Sequence, residues 1–386
     1  MPYKVRCRSK MNIAEKFAEL SIDPNRLTKK KQQTSKKIEY VSEYVRLWAF
    51  VMLERNDIHT LNFVDCMCNA GVYHDGDCCT AVEVLQIFSS LAEKYPRKNF
   101  CIWCNDNDSE KIEILKQILG LFPKNRQIQV LVTQFDVNDY LDMLHQNSEL
   151  EKKMFRRGST AILYVDPFDF GTVEIPKVSA VLQKHYCELL FNFFISDYVR
   201  NIHQDAGRIS KCLGGKRIET KDELIAYMRS QLRVGHIKHL FSYQFKIEKN
   251  VELYQIVFAT PSPKGLEKLK EVLWKVFKGA EFHRNHIEDS DQMCLFTAKD
   301  DENSSLHTYA KEAKGLLCEK YMGQTVSWSD LELFLIEHTM LKESQIITHV
   351  LRPLIEAGAV KKQDLCGKRN YKSDSYTFSA QGEHQS

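Results

Sequence analysis

No stretch of about 18 uncharged apolar residues occurs anywhere in the 386-residue chain, which removes the usual signature of a membrane-spanning helix. The opening segment, MPYKVRCRSKMNIAEKF, is basic but has no apolar core leading to a small-residue cleavage site, so a secretory signal is not expected. Cysteine is present at twelve positions, but the positions are scattered. That fits thiols in a reducing cytoplasm better than a disulfide-stapled extracellular scaffold. Charge of one sign is also scarce: a formal net charge of +3 does not imply a polyanionic partner, and its distribution matters more than its total. No internal repeat is evident. The length suits one large domain with small appendages.

The dense basic cluster is TKKKQQTSKK, residues 28 to 37, with Lys29, Lys30, Lys31, Lys36 and Lys37 and no acid. Two readings stand: a solvated surface run, or a phosphate-facing arm on nucleic acid. The cluster closes a polar N-terminal arm, residues 1 to 36. Ile38, Val41, Val45, Trp48 and Leu53 then share one face of a helix.

Five apolar runs follow in alternation with amphipathic helices: LNFVDC, NFCIWCND, IQVLVTQFD, AILYVDPF and ELLFNFFIS. Strands apolar on both faces and separated by helices predict a doubly wound α/β domain, a mostly parallel sheet covered on both sides. A basic, partly helical insertion at about 200 to 238 precedes FSYQFKIEKNVELYQIVFAT, two strands around a Lys-Asn turn. Five parallel strands followed by a hairpin give the seven-stranded inventory of a class I methyltransferase, over residues 37 to 300. The polar stretch AKDDENSSLHTYAKEAKG reads as a surface linker. Beyond it, a short extended piece, a helix from Ser329, a helix from near Glu343, a stop at Gly358 and two strands predict a winged helix-turn-helix, making 301 to 386 linker plus module.

In open parallel sheets, ligands bind beyond the carboxyl ends of the strands. Four successive strands end near an acid: Asp65, Asp106, Asp136 and Asp166. Each alone is more often a helix cap. Together they give the order expected for a site binding S-adenosylmethionine, with Asn69 and Gly71 in the first loop, Asp106 or Asp108 on the ribose and Asp136 on the adenine amine. In YVDPFDFG, a carboxylate before a proline-stiffened turn can fix a hydrogen-bond acceptor beside an exocyclic amine. Asp166, Pro167 and Phe168 are therefore the catalytic candidates, the aromatic ring stacking on the substrate. The alternative is a plain Asp-Pro turn.

Cys101 and Cys104 have CxxC spacing, but three residues apart in a strand they point to opposite faces, so no metal site is expected. His203, His236 and His239 have no partner at a diagnostic spacing and read as surface or packing residues. Ser196, Asp197 and Arg200 follow the fifth strand and either reach the cleft or form a structural ion pair.

TSKKIEYVSEYVRLW, FVDCMCNAGVYHDG, YVDPFDFG and YQIVFATPSPKGLEKLKEVLW resemble the three-Cys-motif partner family of methyltransferase-like bacterial proteins, over roughly residues 30 to 380. In that family the first loop reads approximately Asp-x-Phe-Ala-Gly-Pro-Gly. Here Asp65 and Gly71 match, while Met67, Asn69 and Ala70 replace the aromatic, the first glycine and the proline. The resemblance implies a partner protein carrying three cysteines, similar to radical S-adenosylmethionine proteins, and no settled substrate. The expected function is an S-adenosylmethionine-dependent methyltransferase acting on or binding DNA or RNA. The alternatives are an inactive methyltransferase-fold binding module, which the loss of loop glycines favours, and a DNA-binding protein working through its winged helix.

Overall fold

Residues 12–201, 203–247, 251–278, 282–283, 290–363 and 373–379 are described by a computed structural model of the chain. The expected Lys-Asn turn of the hairpin lies outside them. From Asn12 onward the N-terminal segment is a strap rather than the expected polar arm, because Ile13, Phe17, Ile22 and Leu27 are buried. Backbone bonds fasten it to the loop at 71–79: Ile13 N–H to the Gly76 carbonyl (2.9 Å) and His74 N–H to the Thr28 carbonyl (3.1 Å). Gly76, at φ +80°, lets the strap approach so closely that a Cβ there would lie 2.5 Å from that of Ala14.

Helix α1 (Gln32–Leu53) buries Val41, Val45 and Trp48 and leads into β1 (Thr60–Asp65). Alternation then proceeds through α2 (Thr80–Ala92), β2 (Asn99–Asn105), α3 (Ser109–Gly120), β3 (Ile128–Thr133), α4 (Val137–Gln146), α5 (Ser148–Met154), β4 (Ser159–Val165), α6 (Ile175–Lys184) and β5 (Cys187–Phe193). The insertion supplies α7 (Ile195–Asn201), α8 (Ala206–Cys212) and α9 (Lys221–Leu232), and the hairpin is β6 (His239–Ile247) and β7 (Val251–Thr260). The strand order is β3-β2-β1-β4-β5-β7-β6, with β7 antiparallel to both neighbours and the other pairs among β1 to β5 parallel. This is the expected doubly wound sheet, with one correction: β8 (Phe282–His283) adds an eighth strand beside β6.

The chain reverses direction across the sheet between β1 and β4, so their carboxyl ends flank the crevice where such folds bind ligands. Every residue of β1 is buried, as a strand covered on both faces requires.

Two polar residues interrupt the apolar β5. Glu188 accepts hydrogen bonds from the Tyr44 hydroxyl and from Thr260 Oγ1 (2.7 Å), and burial pushes its pKa up to about 7. Its folded-state pKa therefore lies above the unfolded value. The stabilisation is complete below about pH 4.5, is lost as pH rises through about 7, and the slope ends there. The loss should be about 3 kcal/mol, set by the gap between those pKa values. Between pH 4.5 and pH 8, urea unfolding should show a loss about 3 kcal/mol larger in the wild type than in Glu188→Gln; equal pH slopes would refute it.

The chain divides into two units at Ser262/Pro263, with β8 belonging to the first. The second begins with α10 (Pro263–Phe277), a helix the sequence reading places in the sheet domain, and continues with α11 (Ser290–Tyr321). The stretch expected to be a linker is thus inside a helix, for which its run of Ala, Glu, Lys and Leu is well suited. After these come β9 (Thr325–Ser327), α12 (Trp328–His338), α13 (Glu343–Ile346), one π-helical turn, α14 (Arg352–Glu356), β10 (Val360–Gln363) and β11 (Ser375–Phe378). β11 pairs antiparallel with both β10 and β9 in a three-stranded sheet. Within this unit the buried Lys270 donates to the Ile336 and Thr339 carbonyls at the end of α12, and Trp274 Nε1 donates to the Met340 carbonyl (2.7 Å). No helix among the described residues is long and apolar enough to cross a membrane.

Candidate active site

Asp65 ends β1 and is buried, 2% exposed. Among the described residues, its hydrogen bond is a long one (3.3 Å) from the Met67 N–H. Burial raises its pKa well above the usual carboxylate range, and the charges of Asp166 and Asp106 raise it further. The structure thus brings three of the four strand-end acids together. For a buried carboxylate so weakly bonded, being ionised is costly unless a cation arrives.

The loop after Asp65 turns through Asn69, which adopts the left-handed conformation at φ +58°. Its side chain folds onto its own backbone, Oδ1 accepting the Ala70 N–H (2.8 Å). Its N–H donates to Asp106 Oδ2 (3.0 Å). Asn is the residue other than glycine that best tolerates this conformation, so the turn survives the missing glycine. Gly71, at φ +82°, is held against α3: a Cβ there would lie 2.7 Å from Leu115 Cδ1.

Asp106 follows β2 and is also buried. Its Oδ1 accepts the Asp108 N–H (3.1 Å), so each carboxylate oxygen holds one backbone donor and keeps further accepting capacity. Asp108 caps α3, accepting from Glu110 and Lys111 N–H groups, the bland reading of an acid in that position. Asp136 is exposed and caps α4 by accepting the Asn138 N–H (2.8 Å). Its loop is tied to β2 through Asn105, whose side-chain amide pairs with both the N–H and the carbonyl of Phe135 (3.1 and 3.0 Å). The Phe135 ring is 41% exposed beside Asp136.

Asp166 is the centre of a second network. Lys37 Nζ lies 2.7 and 2.9 Å from its two oxygens, the Tyr164 hydroxyl donates to Oδ2 (3.0 Å), and Asn192 Nδ2 donates to Oδ1 (2.8 Å). Asn192 in turn accepts from the buried Tyr40 hydroxyl (2.9 Å). Pro167 is buried, while Phe168 is 55% exposed with Lys111 Nζ 4.7 Å from its ring centre. Tyr164 is two residues before Asp166 and so shares its strand face, a spacing legible in sequence. Asn192 was signalled by being polar within an apolar strand. The role of Tyr40, set by helix packing, had no such signal.

The lysine cluster does not form one phosphate-facing arm. Lys37 is on Asp166, Lys30 on Asp75 and Asp77, and Lys36 on Glu39, leaving Lys29 and Lys31 of the run exposed. Arg200 pairs with Asp197, the structural alternative for those two residues. Cys101 and Cys104 are buried in β2, and burial pushes the Cys101 thiol up to about 11.

No protein-family model matches the chain, and no curated protein matches it. Among solved structures it is similar to a DUF519-family protein from Legionella pneumophila (11% identity, TM-score 0.37, covering 62% of this chain and 92% of that one). It is also similar to a DUF574-family protein from Streptomyces avermitilis (13%, 0.35, 59% and 83%). A third likeness is to human methyltransferase-like protein 13 in complex with SAH (14%, 0.31, 68% and 98%). The strand order and the antiparallel β7 give the sheet its class I methyltransferase topology in their own right.

Proposed function

We propose that the chain is an S-adenosylmethionine-dependent methyltransferase whose acceptor is an amine on a nucleic acid. The observation that carries this is the acid group of buried Asp65 and Asp106 with half-buried Asp166, in which Lys37 is committed to Asp166 and, among the described residues, Asp65 has one weak donor. A cationic ligand with hydroxyl and amine donors is what these residues lack, and S-adenosylmethionine has that chemistry. The fit extends to the loop: Asn69 turns its side chain back on Ala70, Asp106 keeps accepting capacity for ribose hydroxyls, and Asp136 beside exposed Phe135 offers an acceptor next to a flat apolar surface.

When bound, the cofactor would supply an electrophilic methyl group on a sulfonium that leaves as a neutral thioether, the extra proton on the methylated amine passing to solvent. Asp166 would accept an N–H of the acceptor amine, turn its lone pair toward that methyl and balance its growing positive charge, while Phe168 packs on the acceptor ring. Tyr164 and Asn192 fix the carboxylate from the rigid sheet. In the second unit, a strand, two helical segments and a closing antiparallel pair support a winged helix that holds the substrate. The resemblance to the three-Cys-motif partner family supports a three-cysteine, radical S-adenosylmethionine-like protein as partner.

A second reading, a non-catalytic scaffold that docks its partner, is favoured by Lys37 occupying Asp166. Calorimetric titration of S-adenosylmethionine separates the two. Saturable binding is expected, tightening as pH rises because a cation binds ionised Asp65 best, and weakening about tenfold in Asp65→Asn, near 1.4 kcal/mol. Absence of saturable binding to the wild-type protein would refute the enzyme reading.

A further inference from the structure

Residues 200 to 238 carry nine Lys or Arg against four Asp or Glu, so the chain's net charge of +3 is exceeded by this insertion alone and the remainder is net negative. Within it lies a cavity of about 510 Å³ between α8 and the loop after it, lined by His203, Ser210, Lys216, Arg217 and Glu219 with Ile209 and Ile218 beneath. The volume is in the usual range for a small-molecule pocket, roughly 300–1,000 Å³.

The turn that creates this wall is specific. Helix α8 stops at Leu213, the Gly215 N–H returns to the Ser210 carbonyl (2.7 Å), and Gly214 and Gly215 take φ of +65° and +85°. Gly214 packs where a Cβ would be 2.7 Å from Pro176. The chain then emerges with Lys216 and Arg217 at the cavity, the Arg217 side chain 87% exposed and 3.2 Å from the exposed Glu219, a surface pair that a phosphate can replace.

The insertion is also bolted to the loop that carries the catalytic candidates. Arg208 donates to Asp169 (2.8 Å) and lies 4.6 Å from the Phe170 ring centre, and Cys212 Sγ donates to the Gly171 carbonyl (2.8 Å). Helix α7 begins two residues past the carboxyl end of β5, on the same sheet edge as Asp166.

We infer that this insertion is a nucleic-acid binding surface in addition to the winged helix: Lys216, Arg217 and His203 take backbone phosphates, and the cavity with its apolar floor takes one nucleotide base flanking the acceptor. The inference rests on the nucleic-acid part of the proposed function and moves that role away from the 28–37 lysine run. Ile209 and Ile218 beside Lys216, His203 and the Arg217–Glu219 pair suit a flat base attached to a phosphate. An acidic peptide has no such group at each repeat.

The test uses fluorescence anisotropy of the full chain with a labelled 20-nucleotide single-stranded RNA, and the DNA of the same sequence, across a salt series. Lys216→Glu/Arg217→Glu is expected to weaken binding at least about tenfold and to flatten the log-log salt slope by about 1.4, two phosphate contacts on a single strand. Lys29→Glu/Lys31→Glu should bind as wild type. The RNA and DNA arms show which backbone is preferred. Wild-type affinity in the first variant, equal loss in the second, no binding of either strand by the wild type, or displacement by polyglutamate as efficiently as by unlabelled RNA would each overturn the inference. A parallel S-adenosylmethionine titration keeps the two proposals separable: strand binding without cofactor binding sinks the methyltransferase reading alone, and the reverse sinks this surface alone.

Discussion

Asp166→Ala is expected to lower methyl transfer to an amine acceptor about a thousandfold, with cofactor affinity changed by less than about threefold. The asymmetry follows from position. Asp166 is held on the acceptor side by Tyr164 and Asn192, whereas the contacts proposed for the cofactor are made by Asp65, Asp106 and the loop through Asn69. All its lone pairs are engaged: two by Lys37, one by Tyr164 and one by Asn192. An acceptor amine therefore reaches it by replacing Lys37, whose ammonium already occupies the place of an amine donor. Lys37→Met removes that competitor and leaves the two sheet residues to orient the carboxylate, so it should lower the KM for the acceptor severalfold without a large loss in kcat. Steady-state kinetics with both variants decides this. A Lys37→Met enzyme as slow as Asp166→Ala would make Lys37 an indispensable part of the site. Because alanine at 166 leaves the Lys37 ammonium in a half-buried place without its carboxylate, Asp166→Asn is the companion variant: it keeps an acceptor oxygen for Lys37 but not the charge. It should lose nearly as much rate while unfolding closer to wild type.

The sheet was legible because its signal is local. A strand such as LNFVDC, apolar on both faces and followed by an amphipathic helix, has few other structures to adopt, and five such runs set the fold before any contact is known. The acids at the strand ends were legible for the same reason, since a strand end is a position in the sequence. What joins the acids to their partners was not. Lys37 reads as one lysine among five, and only the packing of α1 beside the sheet puts it on Asp166, across 129 residues of chain. The strap had a faint signal, a few large apolar residues spaced through a polar segment too short to show a period. The polar stretch inside α11 was misread because high polarity without periodicity looks alike in a loop and in a solvated helix. Asn69 stands between these cases: the sequence shows that a glycine is missing, but only the backbone angle and the bond to Ala70 show how the turn is kept.

Asn69 should therefore tolerate glycine and reject a β-branched residue. Asn69→Gly keeps access to φ +58° and forfeits one side-chain bond to the Ala70 N–H, so cofactor affinity should stay within about threefold of wild type. Asn69→Val must either hold that angle, at about 1–2 kcal/mol, or move the loop. Movement would break the bond from its N–H to Asp106 Oδ2, a hydrogen bond to a charged group worth about 1.5–3 kcal/mol. Either cost corresponds to roughly tenfold to a hundredfold weaker cofactor binding, measurable by the same calorimetry. Each outcome bears on a different premise. If Asn69→Gly tightens binding more than tenfold, the asparagine side chain was filling space the cofactor needs, and the loop is one that has drifted from catalysis. If Asn69→Val binds as the wild type does, the cofactor does not depend on this turn, and the acids that it aligns serve something else. The expected pair of results, glycine tolerated and valine not, would identify the turn as a working cofactor loop in which asparagine supplies the left-handed residue.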